Sequence, residues 1–217
     1  MTSAPSPIQI DIVSDVVCPW CIVGFKQLEQ ALARTGLGAI VRWHPFELNR
    51  DMPPEGQNTR EHIMQKYGST PEQSQQARDR LTALGAELGF TFAFDDNSRI
   101  YNTFGAHLLL DWAAEFNLQH PLKIALFTAY FSKGRDVSDP DTLVEIAASV
   151  GLDGAAARNV LTDPARVAPL REIQQFWTSH GITGVPAMVF GGKYLVTGAQ
   201  GVDNYVQVLL QTAQETA

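Results

Sequence analysis

Cysteine is nearly absent from this chain, with two cysteines in 217 residues, at positions 18 and 21. A zinc site needs about four ligands, and the five histidines (His44, His62, His107, His120 and His180) show no His-x3-His spacing. A structural disulfide between positions 18 and 21 would stabilise the fold little, because the entropy it removes from the unfolded chain shrinks with loop length. We therefore expect no bound metal and a chemical use for the cysteine pair.

The chain also lacks an excess of basic charge and long apolar runs. Its net charge of −7 argues against nucleic acid or an anionic membrane as the main partner. No apolar run approaches the ~18 residues of a membrane span. Residues 1–7 show neither the basic nor the apolar region of a signal peptide. We expect a cytoplasmic protein, in a compartment that keeps most thiols reduced and where a Cys-x2-Cys pair is more often catalytic than structural.

The two cysteines fall where a strand pattern changes to a helix pattern. Residues 8–13 alternate apolar and polar side chains, with β-branched residues on the apolar side, which predicts a strand. Residues 22–32 carry a helical apolar stripe. Cys18 is then the helix N-cap, and Pro19 occupies the first helical position. Proline fits there because a backbone N–H at that position would have no hydrogen-bond partner within the helix.

This placement favours thiol chemistry. The N–H groups of Trp20 and Cys21 are expected to point back at the Cys18 sulfur, and a helix N-terminus favours negative charge there. The thiolate is the nucleophile in thiol–disulfide exchange. Cys21 follows one turn later and is within reach to close a disulfide, so both cysteines are predicted to be catalytic.

The remaining pattern indicates two parts. A second strand is predicted over residues 39–46, and residues 49–60 are rich in turn formers. From there to about residue 164 the pattern is almost wholly helical, with helices that open near Thr70, after Ser98, and at Pro121, Asp139 and Gly154.

Strand signals return near the C-terminus. After a helix at about 165–180, two short strands at 187–190 and 193–196 are joined by Gly191-Gly192, the signal of a two-residue hairpin. A helix at about 202–213 follows.

Without the helical block, this order of elements matches the thioredoxin fold. We predict the α/β class, a thioredoxin fold with an inserted all-helical domain. Residues 1–49 and 165–217 would form the discontinuous thioredoxin-like domain, and residues 50–164 the insertion.

A second motif is Gly184-Val185-Pro186. Pro186 precedes a strand that should be central, where proline cannot lie in mid-ladder, and an X-Pro bond adopts the cis form at modest cost. A cis proline here would place the Val185 backbone beside the cysteines, where it can pair with an extended substrate. The other interpretation is an ordinary proline at the start of a strand.

Together these motifs resemble the DsbA-like thioredoxin-fold oxidoreductases and, within them, the cytosolic FrnE-like branch. The resemblance covers nearly the whole chain and includes residues 14–21, 45–48, 102–103, 106–107, 129–131, 134–139, 181–186 and 198–200. It implies dithiol–disulfide exchange or isomerisation in which Cys18 attacks. It also implies protein or small-molecule thiols and disulfides as partners, no bound cofactor, and glutathione or a thioredoxin-like reductant as electron partner.

Two departures refine the resemblance. A related branch, the 2-hydroxychromene-2-carboxylate isomerases and kappa-class glutathione transferases, has serine where this chain has Cys18. The periplasmic members have histidine where this chain has Trp20, and the loss of that cation argues against a strongly oxidising role.

Several further residues are candidates for the site. Pro19, Trp20, Val185 and Pro186 are predicted to contact substrate, and Asn102 and His107 are predicted to face the site from the insertion. Asp15 is either a turn former at the end of the strand or a buried carboxylate that shuttles a proton to Cys21. His44 and Glu47 are alternatives for that proton transfer.

Three functions remain open from the sequence. The first is a thiol–disulfide oxidoreductase. The second is a glutathione-dependent transferase or isomerase that acts on a small aromatic molecule. The third is a non-enzymatic redox-sensing binding module in which the cysteine pair only toggles. The oligomeric state is left open.

Overall fold

The structure is a computed structural model that describes residues 6–216. In chain order its elements are β1 (Ile8–Ser14), α1 (Pro19–Thr35), β2 (Ala39–Pro45), β3 (Gln57–Asn58), α2 (Thr59–Tyr67), α3 (Pro71–Glu87), β4 (Arg99–Ile100), α4 (Phe104–Ala114), α5 (Gln119–Phe127), α6 (Pro140–Ser149), α7 (Gly154–Thr162), α8 (Val167–Ser179), β5 (Ala187–Phe190), β6 (Tyr194–Thr197) and α9 (Val202–Thr216). A π-helical turn at Thr128–Ser132 extends α5, and a 3-10 turn at Pro164–Arg166 precedes α8.

A four-stranded sheet in the order β2-β1-β5-β6 forms the centre of the thioredoxin-like part. β1 pairs in parallel with β2 and antiparallel with β5, which pairs antiparallel with β6. Successive side chains of β1 point to opposite faces of the sheet, so the two sets of side chains pack against different helices. Ile10 and Ile12 are buried with α1 and α9, whereas Val13 is buried with Ile182 and the α8 residue Trp177. The sheet thus lies between α1 and α9 on one face and α8 on the other.

Close packing at Gly24 holds α1 against the strand that follows the Pro186 motif. A Cβ atom at Gly24 would lie 3.3 Å from Pro186 Cγ, from Met188 Cε and from the Tyr205 hydroxyl. The absent side chain lets α1 approach β5 and α9 closely, so the N-terminus of α1 lies beside the loop that carries Pro186.

The helical block has a core of its own and also packs into the core of the sheet domain. Five of its apolar side chains, all 8% exposed or less, belong to the cluster around β1 and α1: Leu81, Phe90, Phe92, Phe127 and Phe131. Val16 and Val17, which follow β1 in the chain, are buried in the core of the insertion. Because each part completes the other's core, the insertion is held in a definite position over the end of β1.

The observed architecture agrees with a thioredoxin fold that carries a helical insertion, and it differs from prediction in three details. The insertion is not entirely helical, because β3 and β4 form a two-residue antiparallel pair. That pairing occupies Arg99 and Ile100, so α4 begins at Phe104 and not directly after Ser98. The hairpin between β5 and β6 has three linking residues, 191–193, because Phe190 pairs with Tyr194. The domain boundaries proposed from the sequence stay a prediction.

Residues 6–216 contain no helix with the length and apolar character needed to cross a membrane.

A glycine in the insertion offers a test of this packing. A Cβ atom at Gly85 would lie 2.7 Å from the Phe90 carbonyl oxygen and 2.5 Å from Phe92 Cδ2. Although alanine favours a helix over glycine by about 1 kcal/mol, the forced shift of backbone should cost more. We expect Gly85→Ala to lower the free energy of unfolding by about 1–3 kcal/mol, measured by urea unfolding. Gly154→Ala is the control, since its nearest contact would be an ordinary 3.4 Å. Equal urea midpoints for the two variants would contradict this packing.

Candidate active site

Cys18 is the N-cap of α1, with Pro19 at the first position of the helix. Its backbone is extended (φ −92°, ψ 112°), its N–H donates to the Asp15 carbonyl at 3.3 Å, and its carbonyl accepts from the Cys21 N–H at 3.1 Å. The sequence predicted that N–H groups of α1 point at the Cys18 sulfur, and this detail is wrong, because the side chain makes no capping hydrogen bond. The Cys21 N–H is directed to the backbone oxygen of Cys18 instead.

The Cys18 thiol points toward the second motif. Its Sγ lies 3.7 Å from the Val185 carbonyl oxygen, to which the S–H donates. The Val185–Pro186 peptide bond is cis, and the Gly198 N–H donates to the Pro186 carbonyl at 2.7 Å. The two motifs, 167 residues apart in the chain, therefore meet at one site.

Cys21 differs from Cys18 in its surroundings. Both are free thiols, Cys18 being 4% exposed and Cys21 fully buried. Burial raises the pKa of the Cys21 thiol well above its usual range, and the hydrogen bond and charge of Cys18 raise it further. The Lys123 ammonium and a hydrogen bond from the Asp15 backbone act in the opposite direction. Cys21 is therefore held as a thiol until a positive charge or a proton acceptor assists its ionisation.

Asp15, three residues before Cys18, is fully buried behind the site. Its Oδ2 accepts from the Leu48 N–H at 2.8 Å, and its Oδ1 lies 3.5 Å from His107 Nε2. Burial acts to raise the pKa of Asp15, but His107, the Leu48 N–H and the Lys123 charge outweigh it, so the pKa is lowered. Asp15 is therefore a buried negative charge near neutral pH and a weak proton acceptor.

Lys123, in α5 of the insertion, brings a positive charge into the same interior. Its side chain is fully buried, and Nζ has no hydrogen-bond acceptor among the described residues. Nζ lies 4.9 Å from the centre of the Phe127 ring and 5.3 Å from that of Trp43, within the range of cation–π attraction. Burial lowers the pKa of Lys123 to about 8, although the charges of Cys21, Asp15 and Cys18 act to raise it.

Lys123 is not among the site residues predicted from the sequence. One signal was available, because Lys123 shares a helical stripe with Phe127 and Phe131, both of which are buried. A lysine on an apolar stripe indicates a buried ammonium, but the spacing does not say which groups it meets.

Of the six predicted substrate contacts, the structure places three in the cleft beside Cys18, and Pro186 adjoins that cleft through its peptide bond to Val185. Pro19, Trp20 and Val185 line one cleft with Cys18, and Trp20 is 47% exposed. Neither Asn102 nor His107 lines that cleft.

Asn102 and His107, which the sequence predicted to face the site from the insertion, lie outside the cleft beside Cys18. Asn102 precedes α4, where it accepts from the Phe104 N–H and donates to the Arg50 carbonyl. His107 is 2% exposed and its Nε2 donates to the Phe46 carbonyl at 3.0 Å, so it supports Asp15 from behind.

The two other candidates for proton transfer are engaged elsewhere. His44 Nε2 lies 2.8 Å from Asp11 Oδ1, and its ring packs on Trp177. Glu47 pairs with Arg171 and accepts from Gln174.

The cleft beside Cys18 has a volume of about 540 Å³. Its walls come from the insertion, chiefly from α2, α3 and the residues around β4, and Tyr130 and Phe131 also line it. The insertion therefore forms most of the surface that a substrate of Cys18 would meet.

Comparison with known proteins agrees with this fold. The model of the DSBA-like thioredoxin domain matches residues 9–210. A thioredoxin fold with a Cys-x2-Cys pair at the start of its first helix defines the class of protein, and the chain belongs to the DSBA-like thioredoxin-domain family. Its assignment to the FrnE-like branch stays a prediction.

Three relatives illustrate the likeness. The crystal structure of a probable DsbA oxidoreductase from Streptomyces coelicolor is 35% identical, with a TM-score of 0.88 over 96% of this chain and 91% of that one. An uncharacterized protein of Bacillus subtilis, YwbO, is 27% identical over 93% of this chain and 96% of its own. The cytosolic disulfide reductase DsbM from Pseudomonas aeruginosa, solved with GSH, shares the fold at 17% identity, with a TM-score of 0.63 over 95% of this chain and 99% of that one.

Lys123 gives the site a pH dependence that can be measured. Its pKa is about 8 in the folded protein and about 10.4 in an unfolded chain. Between these values the unfolded chain binds more protons, so the Lys123 contribution to the free energy of unfolding rises with pH and is least favourable below pH 8. We expect the difference in stability, wild type minus Lys123→Met, to rise by about 3 kcal/mol from pH 7 to pH 10.5.

Urea unfolding of the reduced proteins across this range is the measurement. Lys133→Met, which removes an exposed lysine, should give a curve parallel to that of the wild type. A parallel curve for Lys123→Met as well would show that Lys123 keeps an ordinary pKa.

Proposed function

We propose that the protein is a cytoplasmic thiol–disulfide oxidoreductase in which Cys18 attacks and Cys21 resolves. The observation that carries this proposal is the position of the Cys18 thiol, where the Cys-x2-Cys motif meets the Gly184-Val185-Pro186 motif. Cys18 Sγ interacts with Cys21 and with the Val185 carbonyl, and Cys18 lines the cleft whereas Cys21 does not. Family membership supports an oxidoreductase, and a relative named as a cytosolic disulfide reductase supports the compartment.

The reaction has two exchange steps. The Cys18 thiolate attacks one sulfur of a substrate disulfide, a mixed disulfide forms, and the other substrate sulfur leaves as a thiolate. The Cys21 thiolate then attacks Cys18 Sγ, which releases the second substrate thiolate and leaves a Cys18–Cys21 disulfide. The substrate gains the two electrons that the cysteine pair loses. Two molecules of a monothiol such as glutathione, or one dithiol partner, return the pair to its reduced form, and the relative solved with GSH supports glutathione for this role.

The surrounding residues have distinct roles in this proposal. Pro19, Trp20 and the Val185–Pro186 backbone position the substrate against Cys18. Lys123 acts through its charge, which favours the Cys21 thiolate as the mixed disulfide is resolved. The Asp15 charge favours the ammonium form of Lys123. Asp15 does not act as the proton acceptor, because its pKa is lowered.

Single-cysteine variants separate the two roles. When reduced Cys21→Ser protein meets hydroxyethyl disulfide, we expect a persistent mixed disulfide at Cys18, measured by intact-protein mass spectrometry. Wild-type protein should lose two hydrogens instead, since attack by Cys21 within one molecule is favoured by about 7–11 kcal/mol in well-oriented pairs. Cys18→Ser should form little adduct, because Cys21 is fully buried and its pKa is raised.

Adducts of equal yield on both variants would contradict the division of roles. If the wild type fails to form its internal disulfide, the oxidoreductase proposal is wrong. Glutathione-dependent turnover of an aromatic substrate that survives Cys18→Ser would then favour the transferase or isomerase.

A further inference from the structure

The charge of the cleft beside Cys18 is opposite to that of the whole chain. Its lining residues include three permanent cations, Lys66, Arg78 and Arg99, and a single carboxylate, Asp95. The chain as a whole carries 16 basic and 23 acidic residues. A local cationic surface on an acidic protein favours an anionic occupant, because lining charges concentrate counter-ions in a low-dielectric cleft.

Two of these cations are held in place without being neutralised. Lys66 Nζ donates to the Leu48 carbonyl at 2.9 Å and to Asn49 Oδ1 at 2.7 Å. Arg99 donates from Nε and Nη2 to the backbone carbonyls of Glu55 and Gly56, both at 3.0 Å. These acceptors are all uncharged, and among residues 6–216 neither cation has a carboxylate oxygen within 4.0 Å.

The other two charged residues of the cleft, Arg78 and Asp95, interact with neighbouring groups. Arg78 lies 4.0 Å from Asp96 Oδ1 and donates to the Asp95 carbonyl. The Asp95 carboxylate accepts from the Asn97 N–H and the Ser98 hydroxyl within its own turn. Lys66 and Arg99 are thus the cations of the lining without a carboxylate partner, and they outnumber its single carboxylate, Asp95.

The position of Lys66 links it to the reacting sulfur. Leu48, whose carbonyl accepts from Lys66, also donates its N–H to Asp15, three residues before Cys18. Lys66 and Cys18 line the same cleft, and Lys66 is anchored to the segment that also holds Asp15.

The size of the cleft and the burial of Cys18 favour a small ligand. Cys18 is only 4% exposed, so a folded protein surface cannot approach it closely. A cleft of about 540 Å³ falls in the range that encloses small molecules. Exposed Trp20 and Tyr67 line the same cleft and offer apolar contact.

We infer that this cleft selects low-molecular-weight disulfides that carry carboxylate groups, with Lys66 and Arg99 as the residues that determine this specificity. The inference rests on the proposed exchange reaction and names its substrate class. The carboxylates lie against the two cations, and a disulfide sulfur is presented to Cys18. The exchange then proceeds by the two steps given above, with the same electron balance.

Three small disulfides that differ in charge provide the test. Reduced wild-type protein is oxidised by glutathione disulfide (anionic), hydroxyethyl disulfide (neutral) and cystamine (cationic), and loss of free thiols gives the rate constants. Each rate constant is divided by that for attack of 2-mercaptoethanol on the same disulfide, which removes intrinsic reactivity. We expect the normalised rates to fall in the order anionic, neutral, cationic, and the preference to shrink as salt is added.

Variants assign the preference to the two cations. Lys66→Gln and Arg99→Gln should each reduce the ratio of anionic to neutral rate by about 3- to 10-fold, and Lys66→Arg should restore it. A general loss of structure would lower both rates together and leave the ratio unchanged. Lys193→Gln and Arg34→Gln remove the same charge outside the cleft, where the two residues pair with Glu215 and Asp203, and should leave the ratio as in the wild type.

Several outcomes would overturn the inference. Equal normalised rates for the three disulfides would do so, as would an equal loss of preference in the control variants. Faster oxidation by insulin than by glutathione disulfide, at equal disulfide concentration, would assign the cleft to protein substrates. If none of the disulfides produces the Cys18–Cys21 bond, the proposed function fails and this inference fails with it, whereas exchange without charge preference overturns the inference alone.

Discussion

The interaction on which the rest of this structure depends is the burial of the Lys123 ammonium beside Asp15 and the two cysteines. A buried charge is costly unless opposite charge compensates it, and Nζ has no hydrogen-bond acceptor among the described residues. Its compensation comes from the Asp15 carboxylate, the Trp43 and Phe127 rings, and the thiols when they ionise. Since Lys123 belongs to the insertion and Asp15 to the end of β1, this arrangement exists only when the two parts are packed together.

The apolar packing of the insertion also joins the two parts of the protein. Its phenylalanines complete the core around β1 and α1, while Val16 and Val17 complete the core of the insertion. The insertion therefore supplies the charge behind the cysteines and also the wall in front of them. Behind the site, Lys123 opposes the burial that keeps Cys21 protonated. In front of it, Lys66 and Arg99 set the charge of the cleft.

Local sequence was sufficient for the features that depend on local physical chemistry. A proline after Cys18 and an apolar helical stripe place the cysteine at a helix N-cap, because the missing N–H of proline costs no hydrogen bond in the first turn of a helix. Thr70 forms a capping box with Gln73 at the start of α3, a pattern that spans four residues. The same reasoning was wrong at β4 and in the β5–β6 hairpin. There, pairing of Arg99 with Asn58 and of Phe190 with Tyr194 decided the conformation.

The sequence by itself therefore determined that the chain has a thioredoxin-type order of elements with a Cys-Pro-Trp-Cys motif at the start of its first helix. The tertiary structure alone decided which distant groups share the site: the Val185 carbonyl on Cys18, Lys123 behind Cys21, and Lys66 and Arg99 in the cleft. It also removed Asn102 and His107 from the substrate surface. The physical reason is the distance along the chain over which each interaction acts. Helix caps and apolar helical stripes depend on residues a few positions apart, whereas burial and charge pairing depend on which distant side chains the folded core brings together.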